Sequence, residues 1–138
     1  MSEKGTERIE AQLKRLVPFA AIISAPDFRM GEIVMPSLAP GVFQFPHYSF
    51  SAPARAFIDQ CYELEVVLGD FDWAQWIQSP EGRQLCDSRQ ALANASAEQV
   101  AKLLTALVRQ ERFSEGALGD AHKSGLLSAL LERVAAMR

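Results

Sequence analysis

The sequence predicts a mainly α fold: a helical bundle with a small two-stranded β-hairpin in its N-terminal half. Three observations lead there. Eleven of the 12 aromatic residues lie between Phe19 and Trp76, and six of the seven prolines precede Ala54, so the front half is irregular and aromatic. The back half is rich in Leu and Ala and carries apolar residues at helical spacing. Between these, Ile33-Val34-Met35 and Val42-Phe43-Gln44-Phe45 are short β-prone runs separated by Pro36 and Pro40-Gly41, the pattern of a hairpin.

The elements follow in order. Thr6 is a good N-cap for a first helix, whose stripe is Ile9, Leu13, Leu16 and Val17. Pro18 cannot donate the helical hydrogen bond, so the helix kinks or restarts there and continues through Phe19, Ile22 and Ile23 to Pro26. After the hairpin, Ser51 with Pro53 behind it opens a helix bearing Phe57, Ile58, Cys61 and Leu64 on one face, and Gly69 ends that region. A short helix over Trp73 to Ile77 precedes a new cap and first turn at Ser79-Pro80-Glu81.

Ser96-Ala97-Glu98-Gln99 is a capping box: the serine side chain can accept from the Gln99 N–H while the glutamine reaches back. Val100, Leu103, Leu104, Leu107 and Val108 then form the clearest amphipathic stripe in the chain. Ser114 can cap a short helix that runs to Gly125, a residue suited to a left-handed C′ position. Leu126, Leu127, Leu130, Leu131, Val134 and Met137 make a last helix. Three short helices with brief joints suggest a bundle.

The 138 residues suit a single globular domain over 1–138, with enough chain to bury a real core. There are 14 basic and 17 acidic residues, net −3, spread as −2 over residues 1–69 and −1 over 70–138. Nucleic acid is therefore an unfavoured partner, because phosphate binding leaves a basic footprint. The polar start, the absence of a 20-residue apolar run and the C-terminal residues predict neither a signal peptide nor a membrane span, hence a cytoplasmic protein. Cys61 and Cys86 are then expected to be reduced.

Two stretches stand out as candidate ligand-binding residues. In Gly69-Asp70-Phe71-Asp72-Trp73-Ala74-Gln75-Trp76, Trp73 and Trp76 share a helix face and could form a stacking wall with Asp72 as a polar anchor. The plainer reading makes Asp72 an N-cap and the tryptophans core. In Arg109-Gln110-Glu111-Arg112-Phe113-Ser114-Glu115-Gly116, Arg109 and Arg112 could bind an anion, with Glu111 or Glu115 as a base; alternatively the set is a structural clasp between two helix ends. Helical phase puts Glu111 on the apolar stripe and Arg109 on the opposite face. Glu111 should thus be partly buried, with a partner from elsewhere in the fold, and Arg109 should be the least buried. The site would lie where these two stretches meet, at Asp72, Trp73, Trp76, Arg109, Arg112 and Glu115.

A carboxylate–histidine acid–base pair, Glu111 or Glu115 with His47 or His122, defines the enzymatic alternative. No close Cys or His pair exists, so neither a zinc centre nor any other metal or cofactor is expected. The Leu126–Met137 stripe raises a third possibility, a homodimer docked through the terminal helix.

The run Phe71-Asp72-Trp73 with Trp76, the segment Leu103-Leu104-Thr105-Ala106-Leu107-Val108-Arg109-Gln110-Glu111-Arg112-Phe113-Ser114-Glu115-Gly116, and Ser124-Gly125 together resemble a bacterial family of small uncharacterised proteins, a domain of unknown function. Gly41-Val42, Phe45-Pro46 and Tyr48 resemble its lead-in to the middle helix, so the similarity covers nearly the whole chain. Members of that family often place a histidine after the Glu-Gly pair. Here Ala117 stands instead, which weakens an enzymatic reading. The resemblance implies no activity, substrate or cofactor. The expected function is a non-enzymatic binding or protein-interaction domain.

Overall fold

A computed structural model describes residues 3–34 and 47–137. Among these, nine helices and two strands follow in the order α1 (Glu3–Lys14), α2 (Pro18–Ser24), β1 (Gly31–Val34), β2 (His47–Phe50), α3 (Ala52–Glu63), α4 (Trp73–Gln78), α5 (Pro80–Asp87), α6 (Arg89–Ala93), α7 (Ala97–Gln110), α8 (Ala117–Lys123) and α9 (Leu126–Ala136). The mainly α class with a two-stranded antiparallel sheet in the N-terminal half is thus the fold of this protein.

Local chemistry sets most of the helix starts. The Ser51 side chain accepts from Ala54 N–H at 3.2 Å, Ser79 from Gly82 at 3.2 Å and Asp72 from Gln75 at 3.1 Å. The capping box at Ser96 is complete: its Oγ accepts from Gln99 N–H at 3.1 Å, and Gln99 Oε1 accepts from Ser96 N–H at 2.9 Å. Pro18 restarts the first helical segment as α2. Gly82 allows α5 to pass directly over α4, since a Cβ there would stand 2.3 Å from the Trp76 carbonyl oxygen.

Four features differ from the sequence reading. Helix α1 already includes Thr6, which is therefore not its cap. Ser88, accepting from Ala91 N–H at 3.1 Å, starts the unforeseen α6. The expected strand Val42–Phe45 lies outside the described residues, as does Met35; among those described, β1 pairs with the unforeseen strand His47–Phe50, so that Ile33 faces Tyr48 and Gly31 faces Phe50. Its side chains alternate: Tyr48 and Phe50 turn to one side, meet edge to face at 5.2 Å between centroids and pack on the core, while Ser49 faces water. Finally, α3 stops at Leu64, and not at Gly69, because Glu65 takes a left-handed conformation with φ of 60°. Glu65 N–H donates to Tyr62 O and Val66 N–H to Cys61 O, the hydrogen-bond pair of a Schellman stop.

The core centres on α7, which touches α1, α4, α8 and α9. Nine of its residues are buried, from Ala97 to Val108, so its buried surface is much wider than a single stripe. Around it lie Leu13 and Leu16, Phe57 and Cys61, Leu85, Leu92 and Leu118, each almost wholly shielded from water. The α9 stripe, Leu126, Leu127, Leu130, Leu131 and Val134, is buried within this same chain. The face that a terminal-helix dimer would have used is thus occupied by the fold itself.

Thr105 is the polar residue inside this apolar helix, at 0% exposure. Its hydroxyl donates to Ala101 O at 2.7 Å and accepts from Leu68 N–H at 2.9 Å, which ties α7 to the segment after α3. Thr105→Val keeps the shape and orphans the Leu68 N–H. It should lower the unfolding free energy by about 1–3 kcal/mol in urea titrations, with Thr105→Ser closer to wild type. At Glu65, Glu65→Gly should stabilise by up to about 1 kcal/mol, because the left-handed backbone no longer crowds a Cβ. The exposed Arg8–Glu65 pair that it removes, 3.4 Å long, is worth little. A higher midpoint in the same titrations checks it.

Candidate functional site

The joint after α7 is built by one carboxylate. Glu111, where α7 ends, turns its two oxygens on the start of α8. Oε2 accepts from Gly116 N–H at 2.7 Å and Oε1 from Leu118 N–H at 3.0 Å. These are donors that a helix start leaves without an internal partner, and a carboxylate is their best acceptor. Gly116 makes the turn possible with φ of 92°. The half-buried Glu111 does have a partner, as its place on the stripe predicts, but that partner is neighbouring backbone rather than a distant side chain. Ser114, expected to cap α8, makes no side-chain cap.

Glu115, four residues on, accepts a short hydrogen bond from Tyr48 N–H. This links the joint to β2. A cleft of about 580 Å³ opens beside that link, between β2, α3 and the end of α7. Tyr48, Phe50, Tyr62 and Phe113 supply aromatic walls, with Ile58 and Val108 between them. Two cations lie over rings: Arg55 Cζ stands 5.5 Å from the Phe50 centroid and Arg112 Cζ 5.6 Å from the Tyr62 centroid. Asp59, Glu111 and Glu115 complete the polar lining. Phe113 sits at the mouth with 79% of its surface exposed. The Tyr48 phenol has a raised pKa, first because burial disfavours the phenolate and then because Glu111 and Asp120 are negative nearby. It therefore keeps its proton, and can donate, through the neutral range.

The six residues singled out in the sequence divide. Arg112 and Glu115 line the cleft. Asp72 caps α4, accepting from Gln75 N–H. Trp76 is buried, edge-on to Phe71 at 5.8 Å, and its indole N–H donates to Glu81 at 2.7 Å. Glu81 and Glu98 in turn pair with Lys102, whose ammonium lies 5.8 Å from the Phe71 ring centroid. Trp73 leans on Phe113 at 5.9 Å and so connects the tryptophan segment to the joint, as the sequence reading expects. Arg109 is not the least buried of the charged groups. It is half-buried, with Nε shielded and without a hydrogen-bond partner among the described residues, whereas Arg112 is exposed. Neither Arg109 nor the tryptophans form the cleft walls. Residues missed in the sequence are Arg55, Asp59 and Tyr62 on α3. Their only signal was position, on the α3 face away from Phe57 and Cys61.

His122 hydrogen-bonds Ile23 O at 3.1 Å through Nε2, and its ring lies edge-on to Phe28 at 4.9 Å. The side chain of His47 lies outside the described part. Among the described residues no group of three or more His, Cys, Asp or Glu is placed to hold a metal ion. Cys61 and Cys86 are unbridged, and burial pushes both thiols above their ordinary pKa.

Fold and cleft define a class: a mainly α protein whose small sheet and longest helix flank an aromatic, arginine-bearing cleft. The chain belongs to a family of unknown function (DUF6508), whose model matches residues 9–138. No curated protein and no solved structure matches it. Among the described residues no helix is long and apolar enough to cross a membrane.

The joint makes a graded prediction. Glu111→Ala strips both acceptors from α8 and should cost about 2–4 kcal/mol, since charge-assisted hydrogen bonds are lost at a partly buried helix start. Glu111→Gln, which keeps one acceptor oxygen and no charge, should fall between. Equal stability of wild type and Glu111→Gln in urea unfolding would show that the charge contributes nothing.

Proposed function

We propose that this protein is a non-enzymatic binding or protein-interaction domain whose site is the cleft between β2, α3 and the end of α7. Of the six residues that the sequence nominated, Arg112 and Glu115 act there, and Trp73 acts from behind by steadying Phe113. Asp72, Trp76 and Arg109 serve the fold. The observation that carries this reading is the mouth of the cleft. Two arginines rest on ring faces without a carboxylate partner among the described residues, beside a phenylalanine that is almost fully exposed. Arginine and aromatic residues together are the usual anchors of binding surfaces. Phe113 continues the apolar lining of Phe50, Ile58, Tyr62 and Val108 to the rim, and a contiguous apolar wall of this kind marks a binding surface.

The binding reading is favoured over the acid–base one by what the carboxylates do. Glu111 spends both oxygens on backbone N–H groups, and Glu115 is engaged by Tyr48 N–H. His122 is held by a main-chain carbonyl and a phenylalanine ring. Their visible roles are structural. We take residues 1–138 as one domain, because a single hydrophobic cluster draws on residues from Leu13 to Met137. A cytoplasmic setting in a bacterial cell fits two unbridged cysteines. Nucleic acid remains an unfavoured partner on charge grounds.

A screen of neutral aromatic fragments by two-dimensional amide NMR tests the site. Shifts should cluster at Tyr62, Val108, Arg112 and Phe113. Phe113→Ala should weaken the hits about tenfold while leaving the rest of the spectrum in place, as expected for truncating an exposed anchor. Hits that map elsewhere, or that ignore the substitution, would sink the proposal.

A further inference from the structure

We infer that the cleft takes a small organic anion, a carboxylate carried on a flat apolar body. This rests on the cleft being the binding site and names the chemistry of its ligand.

The argument is an imbalance between donors and acceptors. The lining has a formal charge of −1, from Arg55 and Arg112 against Asp59, Glu111 and Glu115, so simple charge counting points nowhere. Hydrogen bonding points clearly. Glu111 has given both oxygens to the N–H groups of Gly116 and Leu118, and Glu115 one oxygen to the N–H of Tyr48. Their charge is thereby drawn toward the backbone and away from the opening. Asp59 is exposed one helical turn from Arg55 and forms no ion pair with it. Each guanidinium, by contrast, has its ring contact and no hydrogen bond to a described residue. A guanidinium carries five N–H donors in a planar fork that matches a carboxylate. The cleft thus holds two forked guanidinium donors without a hydrogen-bond partner among the described residues, and their complement is an acceptor-rich group.

The rest of the lining fixes the body of the ligand. Phe50, Tyr62 and Phe113 offer rings, with Ile58 and Val108 between them. A volume of about 580 Å³ lies within the range of small-molecule sites, and such walls favour a flat hydrocarbon stacked or set edge-on against them. The cations stand over two of those same rings, so an acid group attached to a ring would reach a guanidinium while the ring stays on the aromatic wall.

A matched series of probes decides it: 2-naphthylacetate, its neutral amide 2-naphthylacetamide, and the cation 2-(2-naphthyl)ethylamine, each titrated into the full chain by amide NMR. The carboxylate should bind at least about tenfold tighter than the amide, the difference expected for a charge-assisted hydrogen bond, and the amine no tighter than the amide. Shifts should centre on Tyr62, Arg112 and Phe113. The double variant Arg55→Gln, Arg112→Gln should bring the carboxylate down to the level of the amide and leave the amide unchanged, with its own spectrum reporting that it is folded. Equal affinity for carboxylate and amide at the cleft, or tightest binding of the amine, overturns the anion and leaves the cleft as a site. Shifts outside the cleft, or none with any of the three, overturn both.

Discussion

The constraint on which the structure depends is the burial of α7. A helix enclosed on most sides can hold few polar side chains, and those must be satisfied internally. Thr105 meets this by bonding back to Ala101 O and outward to Leu68 N–H. The second bond also settles where the chain runs after α3 leaves its Schellman stop at Glu65. Because α7 is central, the elements around it are placed by what they bury against it. The same holds for the tryptophan segment, whose Phe71, Trp76, Glu81 and Lys102 form a contact chain along one side of the helix.

The end of α7 repeats the problem at its exit. The chain must leave a buried helix and begin another within a few residues, with N–H groups exposed at the new start. Glu111 resolves it by staying in phase with the apolar stripe long enough to reach the α8 amides, and Gly116 supplies the left-handed turn. Phe113 and Arg112 are pushed to the outside of this tight joint. There they form the rim of the cleft. Glu115 then anchors the joint to the sheet through Tyr48, so the wall formed by β2 and the rim formed by the joint are held together.

This coupling explains why only part of the nominated stretches lines the cleft. Both tryptophans share a helix face, a pattern that suits either a stacking wall or the core. In the fold that face is turned inward at Trp76 and against Phe113 at Trp73. Asp72 was legible as a cap, and it caps. Helical phase places Arg109 outermost. Phase alone does not know that α7 is covered on more than one side, so Arg109 is half-buried while Arg112, just past the helix end, is exposed. Arg55, Asp59 and Tyr62 carried no motif at all. They matter because α3 packs with Phe57 and Cys61 inward, which turns them toward the joint.

The sequence by itself determined what depends on neighbours within a few residues. Serine and aspartate caps, the capping box, the proline restart, the left-handed glycine at 125 and the mainly α class are all such features, because their hydrogen bonds close over three to five positions. It also carried the family resemblance, in a motif that spans the α7–α8 joint. Only the tertiary structure decided which strand pairs with Ile33, what satisfies Glu111, which arginine is exposed and where a cleft opens. Each of these depends on which surfaces are covered by residues distant in the chain. Burial and unpaired donors are properties of that covering, and no local pattern encodes them.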